Sequence, residues 1–139
     1  MFTLNSKLQS DTFFIADLKI SQLVLMNNAN YLWLILIPRK NNLIELTDLE
    51  FGDQIEVLKE INLLYKLLQN GFNPDKINIA ALGNVVSQLH IHIIARKKND
   101  QSFPKPVWCD SESQPYSTEA AQALIANIKT HLESLQNDK

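Results

Sequence analysis

Between residues 47 and 71 an apolar side chain recurs every three or four positions: Phe51, Ile55, Leu58, Ile61, Tyr65 and Leu68. Asp53, Glu56, Lys59, Glu60 and Lys66 fall mainly elsewhere. The spacing predicts an amphipathic helix with one face that must be covered. Thr47 and Glu50 stand at the separation of a capping box, in which each satisfies backbone donors at a helix start. Gly71 offers a left-handed C-terminal position, and Pro74 prevents the helix from resuming. A helix of this kind needs a layer to pack on, and the rest of the chain supplies strands.

Residues 12–17 (TFFIAD) and 20–26 (ISQLVLM) read as two strands. Too few residues separate them for a helical crossover, so they predict an antiparallel hairpin. Asn27, Asn28 and Asn30 punctuate the chain before the run WLILI at 33–37, which fits a central strand buried on both faces. Pro38 marks its end. After the helix come strands at 76–82 and 87–95, the second alternating from Gln88 to Ile93. Ser117 caps a last helix with a stripe of Ala120, Leu124, Ile128, Leu132 and Leu135. Residues 1–11 read as a lead-in without a period. The order predicts one α+β domain over residues 1–139: a mostly antiparallel five-stranded sheet, one long helix and a C-terminal helix.

Composition removes several function classes. Thirteen Lys and Arg against 15 Asp and Glu give a net charge of −2, which offers no footprint for wrapping a nucleic acid. One cysteine, Cys109, excludes an intrachain disulfide framework and an all-cysteine zinc site. No apolar run approaches the roughly 18 residues of a membrane span, and the N-terminus lacks a signal-peptide run. The expectation is a soluble cytoplasmic domain without membrane or nucleic-acid partners.

One segment carries chemistry: Gly83-Asn84-Val85-Val86-Ser87-Gln88-Leu89-His90-Ile91-His92-Ile93-Ile94. On a strand, Gln88, His90 and His92 would share one face, with Leu89, Ile91 and Ile93 anchoring the other in the core. Three readings compete at this point. The histidines decorate a solvated face, or they hold a metal, or one of them is a nucleophile. For a metal, three or more ligands are normal, and Asp100 and Cys109 would join only through folding. For a nucleophile, a neutral imidazole whose second nitrogen donates to a fixed acceptor can attack phosphorus. Gly83, Asn84 and Ser87 would then supply donors to phosphate oxygens.

The run from Gln88 to Ile94 resembles the His-φ-His-φ-His-φ-φ signature of the histidine-triad family of nucleotide hydrolases and transferases, φ being apolar. Leu25-Met26-Asn27-Asn28, WLILIPR up to Arg39, the long helix and Asn78 are similar to the same family, so that residues 12–108 follow its layout and 109–139 form a tail and helix. The pattern looks most like a bacterial branch with Gln in the first triad place and a Trp-containing tail, here Pro106-Val107-Trp108.

The resemblance implies that His90 is the nucleophile, that a covalent nucleotidyl-histidine forms at the α-phosphate, and that water then hydrolyses it. His92 would hold phosphate oxygens. Gly83, Asn84 and Val85 would line the phosphate, with Val85 where a hydroxyl often stands; Asn27, Asn28 or Asn78 would meet the ribose. It also implies a homodimer, with Trp108 near the site. Gln88 does not titrate and cannot act as a general acid. That favours a phosphoanhydride such as a dinucleoside polyphosphate over a phosphoramidate, whose amine leaving group needs a proton. No cofactor is required, and Mg²⁺ accompanies the substrate's phosphates. Alternatives are a nucleotide-binding protein with little turnover and a His-x-His metal protein. Arg96, Lys97 and Lys98 read as a solvated charge run; Cys109 has no local base and takes no catalytic role.

Overall fold

The computed structural model describes residues 1–138. Five strands form one sheet in the order β1-β2-β3-β5-β4, each antiparallel to its neighbours. They are β1 (Thr12–Asp17), β2 (Ser21–Met26), β3 (Leu32–Pro38), β4 (Lys76–Ala80) and β5 (Ile91–Arg96). The α+β architecture and five-stranded antiparallel sheet are those expected from the sequence. A short helix α1 (Ser6–Asp11) precedes β1, the long α2 (Phe51–Phe72) links β3 to β4, and α3 (Thr118–Asn137) closes the chain. No helix among the described residues is long and apolar enough to cross a membrane.

Both faces of the sheet are covered. On one, Leu23, Leu25, Leu34, Leu36, Ile91 and Ile93 pack against Val57, Leu64, Leu67 and Leu68 of α2 and Ile128 and Leu132 of α3. On the other, Val24, Trp33, Ile35, Ile37 and Ile94 pack beneath Leu8, Tyr31 and Val107. β3 is therefore buried on both sides, as a continuous apolar run requires.

Several local expectations are corrected. Residues 1–11 are not a lead-in: Asn5 Oδ1 accepts from the backbone N–H groups of Lys7 and Leu8 and caps α1. Thr47 does not start the long helix. A 3₁₀ turn occupies Leu46–Asp48, in which the Asp48 carboxylate accepts from Ile44 and Glu45, and α2 begins at Phe51. Asn73, at φ 47°, takes the left-handed position at the end of α2. Gly71 lies inside the helix, where a Cβ would sit 2.9 Å from the His131 ring; its missing side chain lets α3 approach.

The stripe expected to face the core is largely turned outward: Phe51 is 75% exposed and Leu58 56%. α2 is apolar around much of its circumference, and the residues that meet the sheet are Val57, Leu64, Leu67 and Leu68. In α3, Ala121, Ile128 and Leu132 are buried and Ser117 accepts from the Ala120 N–H as its cap, while Ala120 is exposed.

β5 starts at Ile91, so residues 81–90 are an irregular loop rather than strand. Arg96 is no part of a solvated charge run. It is 1% exposed, with Nε and Nη2 on the Asp100 carboxylate at 2.8 and 3.0 Å and Nη1 on Asn78 Oδ1 at 2.9 Å. Its Nη2 also reaches Ser102 Oγ and the Lys105 carbonyl. The guanidinium thereby ties β5 and β4 to the loop that leads to Trp108.

Candidate active site

A cleft of about 550 Å³ opens on the sheet face away from α2. Its floor is where β5 emerges, with His90 and His92; its walls come from α1 (Lys7, Leu8, Asp11), Met26 of β2, the loop from Leu82 to Val86, and Pro106, Trp108 and Cys109. The geometry follows from pairing. In the β3–β5 ladder Ile35 lies opposite His92, and Val24 lies opposite Ile35, which keeps His92 on the face covered by α1 rather than by α2.

The two histidine rings lie 4.9 Å apart, centroid to centroid, and both are buried. His90 Nδ1 is 2.7 Å from the Gln88 carbonyl oxygen. A carbonyl only accepts, so Nδ1 carries the proton and Nε2 of neutral His90 presents a lone pair. His92 is 4% exposed, and its Nδ1 accepts a hydrogen bond of 2.9 Å from the indole N–H of Trp33. Trp108 stands over His92 at 4.9 Å, edge to face, and 5.5 Å from Trp33. Gly83 has a φ of 70°, a left-handed backbone that lets the loop turn at the mouth of the cleft.

Burial, and secondarily the neighbouring His90, push the pKa of His92 from the ordinary 6.5 down to about 3. His92 is therefore neutral in the folded protein at physiological pH. The unfolded chain takes up the proton near pH 6.5 and the folded one does not, so this residue lowers stability progressively as pH falls from about 6.5 to about 3. The slope is about 1.4 kcal/mol per pH unit at most. Denaturant titrations at pH 7, 5 and 4 should show His92→Gln losing less stability with acid than wild type; parallel curves would remove His92 as the cause.

The structure brings Gly83, Asn84, Val85, His90, His92 and Trp108 together around the cleft. It places the other expected residues elsewhere. The Gln88 side chain turns to the N-terminal segment, where its Oε1 accepts from the Asn5 N–H and its Nε2 donates to the Thr3 carbonyl. It does not share a strand face with His92, because residues 81–90, His90 among them, are not strand. Asn27 Oδ1 accepts from the Tyr116 N–H, Asn28 Oδ1 from the Asn30 N–H, and Asn78 Oδ1 from Arg96.

Lys7, Leu8 and Asp11 line the cleft from the segment read as a lead-in, and Met26 and Val86 line it from motifs in which other residues were expected to make the contacts. Asn5, three residues before Leu8 and followed by the Lys7–Asp11 pair at i,i+4, was the available signal for α1. Among the described residues no three His, Cys, Asp or Glu side chains are grouped so as to hold a metal ion.

Comparison with known proteins adds to this geometry. The HIT domain family model matches residues 7–99. A histidine triad protein from Bradyrhizobium japonicum is 37% identical, with a TM-score of 0.91 over 94% of this chain and 98% of its own. A histidine triad (HIT) protein from Sinorhizobium meliloti is 38% identical, with a TM-score of 0.91 over 94% and 96%. A histidine triad protein from Marinobacter aquaeolei is 36% identical, with a TM-score of 0.92 over 97% and 98%. No curated protein matches the sequence.

Proposed function

The chain belongs to the HIT domain family, and from that premise we propose that it is a nucleotide hydrolase acting through a covalent nucleotidyl-His90 intermediate. The observation that carries this is the pairing of His90 Nδ1 with the Gln88 carbonyl, which turns a lone pair on Nε2 toward the cleft. His90 Nε2 attacks the α-phosphorus, and the bond to the leaving phosphate oxygen breaks with its electron pair on that oxygen. Water then attacks the same phosphorus; the P–N bond breaks, His90 returns to its neutral form and a mononucleotide leaves. The water's proton goes to solvent.

His92 donates its Nε2–H to a non-bridging oxygen during both steps. Gly83, Asn84 and Val85 form the rim beside the phosphate, and Leu8, Met26, Val86 and Trp108 form apolar walls for a base. Asp11 supplies a carboxylate able to accept from ribose hydroxyls, whereas the side-chain oxygens of Asn27, Asn28 and Asn78 accept from Tyr116, Asn30 and Arg96. Gln88 acts through its backbone carbonyl.

The substrate class in this reading is a dinucleoside polyphosphate. A phosphoanhydride leaves as an already acidic phosphate and needs no proton, whereas an amine leaving group needs a general acid. Gln88, in the first triad place, does not titrate, and its amide is held by Thr3 and Asn5. Mg²⁺ enters with the substrate's phosphates. The test is a chromatographic product panel of dinucleoside polyphosphates, their 2′,3′-dideoxy forms, nucleoside phosphoramidates and nucleotide sugars. The expected result is mononucleotide release from the polyphosphates, faster for the ribose forms. A strong phosphoramidate preference would refute the leaving-group argument.

The engagement of Gln88 also favours a second reading, a nucleotide-binding protein with little turnover. Calorimetric binding with no product from any substrate in the panel would select it.

The protein works in this reading as a homodimer. β4 is an unpaired sheet edge, and Phe51, Ile55, Leu58, Ile79 and Leu82 are exposed apolar residues on α2, β4 and the loop after it. A monomeric mass by sedimentation at micromolar concentration would remove this part of the reading.

A further inference from the structure

We propose that Trp33 is a positioning residue whose indole N–H fixes His92 in the tautomer that carries its proton on Nε2. This inference rests on the reading of the cleft as a nucleotide site, and it goes beyond it by assigning what sets the chemical difference between two adjacent histidines.

The indole N–H donates and never accepts, and it does not titrate. At 2.9 Å from His92 Nδ1 it requires a lone pair on that nitrogen, so a neutral His92 must hold its hydrogen on Nε2. The partner of His90 Nδ1 is the opposite kind: the Gln88 carbonyl oxygen accepts, and places the hydrogen on Nδ1. Two rings 4.9 Å apart are thereby held in opposite tautomers. One offers a lone pair at Nε2 for attack, and the other offers an N–H at Nε2 for a phosphate oxygen.

Protonation of His92 would turn Nδ1–H against the indole N–H, two donors facing each other, which opposes the charged form independently of burial. The titratable groups that share the cleft with His92 are His90, Cys109 and the Lys7–Asp11 pair on α1. None of them hydrogen-bonds His92 Nδ1; that contact belongs to Trp33.

Trp33 is well placed for this. It is 5% exposed in β3, opposite Ile94 in the ladder, and wedged edge-on against Tyr31 at 6.3 Å and Trp108 at 5.5 Å. A carboxylate or carbonyl in its place would accept from Nδ1, reverse the tautomer and turn a lone pair toward the phosphate oxygens.

The test is ¹⁵N NMR of the histidine rings at pH 7 in wild type and in Trp33→Phe, which keeps a ring but removes the N–H. Wild type should show His92 with Nδ1 bare and Nε2 protonated; Trp33→Phe should show a mixture of tautomers. In the product assay the variant should lose about tenfold in kcat with KM within about twofold, the equivalent of one misplaced hydrogen bond. A wild-type His92 protonated at Nδ1 overturns the proposal whatever the variant does. So does a Trp33→Phe spectrum with the tautomer unchanged. If the variant does not fold, the wild-type spectrum alone decides. If no substrate in the panel turns over, the spectra still decide the role of Trp33, and the failure belongs to the hydrolase reading.

Discussion

His90→Asn should abolish mononucleotide release, with kcat falling by about 10⁴-fold or more, as expected when a covalent nucleophile is removed. The choice of Asn matters. His90 is 8% exposed and bonded to the Gln88 carbonyl, and a side-chain amide can donate to that same oxygen. The loop is thus kept while the attacking lone pair is lost. Binding of a product mononucleotide, followed by calorimetry, should change little. His92→Asn should cost less, about 10²-fold, since it removes one donor to the phosphate rather than the bond-forming atom. Rapid quenching of wild type with substrate should add one nucleotidyl group to the protein's mass, and of His90→Asn none. If His90→Asn retained turnover within tenfold of wild type, the covalent mechanism would be wrong.

The second large effect is on stability. Arg96→Ala should lower the unfolding free energy by about 3–5 kcal/mol, because it strands the Asp100 carboxylate without its cationic partner. The side chains of Arg96 and Asp100 are 2% and 7% exposed. Burial works against the charge of Asp100, but the Arg96 guanidinium and the N–H groups of Phe103 and Lys97 outweigh it and hold its carboxyl below the usual range. This contribution is present above the unfolded carboxyl pKa and is lost as pH falls through the lower folded value. Wild type should therefore lose stability on acidification, and Arg96→Ala should lose less because it starts without the pair. Calorimetric melting at pH 7 should show a midpoint lowered by about 10–15 °C. A decrease below 3 °C would mean that the network carries no such load. Arg96 also holds the Lys105 carbonyl and Ser102, at the root of the segment that places Trp108 over His92. Loss of nucleotide affinity should therefore accompany the loss of stability.

The strands were legible because their period is local. The reading of 12–17 coincides with β1, that of 33–37 lies within β3, and the antiparallel five-stranded sheet follows from short connections and one helical crossover. His90 and His92 were legible as a closely spaced pair, although only His92 lies within β5. Three readings failed where the answer depended on contacts distant in the chain. The outward stripe of α2 has the same period as the inward one, and only the sheet chooses between them. Arg96 looks like one member of a charge run until Asp100 and Asn78 are folded around it. Gln88 alternates with His90 and His92 in sequence, yet its amide is taken by Thr3 and Asn5, more than eighty residues away.

By itself the sequence determined the α+β class, the order of the five strands and the two long helices, and the closely spaced histidine pair His90 and His92. Those properties depend on neighbours within a few positions, through backbone preference and hydrophobic period. Only the tertiary structure decided what His90 and His92 can each do. A histidine's role is set by which of its nitrogens holds the proton, and that is fixed by the partner across space: the Gln88 carbonyl for one, the Trp33 indole for the other. Trp33 lies 59 residues from His92, and no local pattern relates them. The β3–β5 ladder brings them together on one face of the sheet, and hydrogen-bond polarity does the rest.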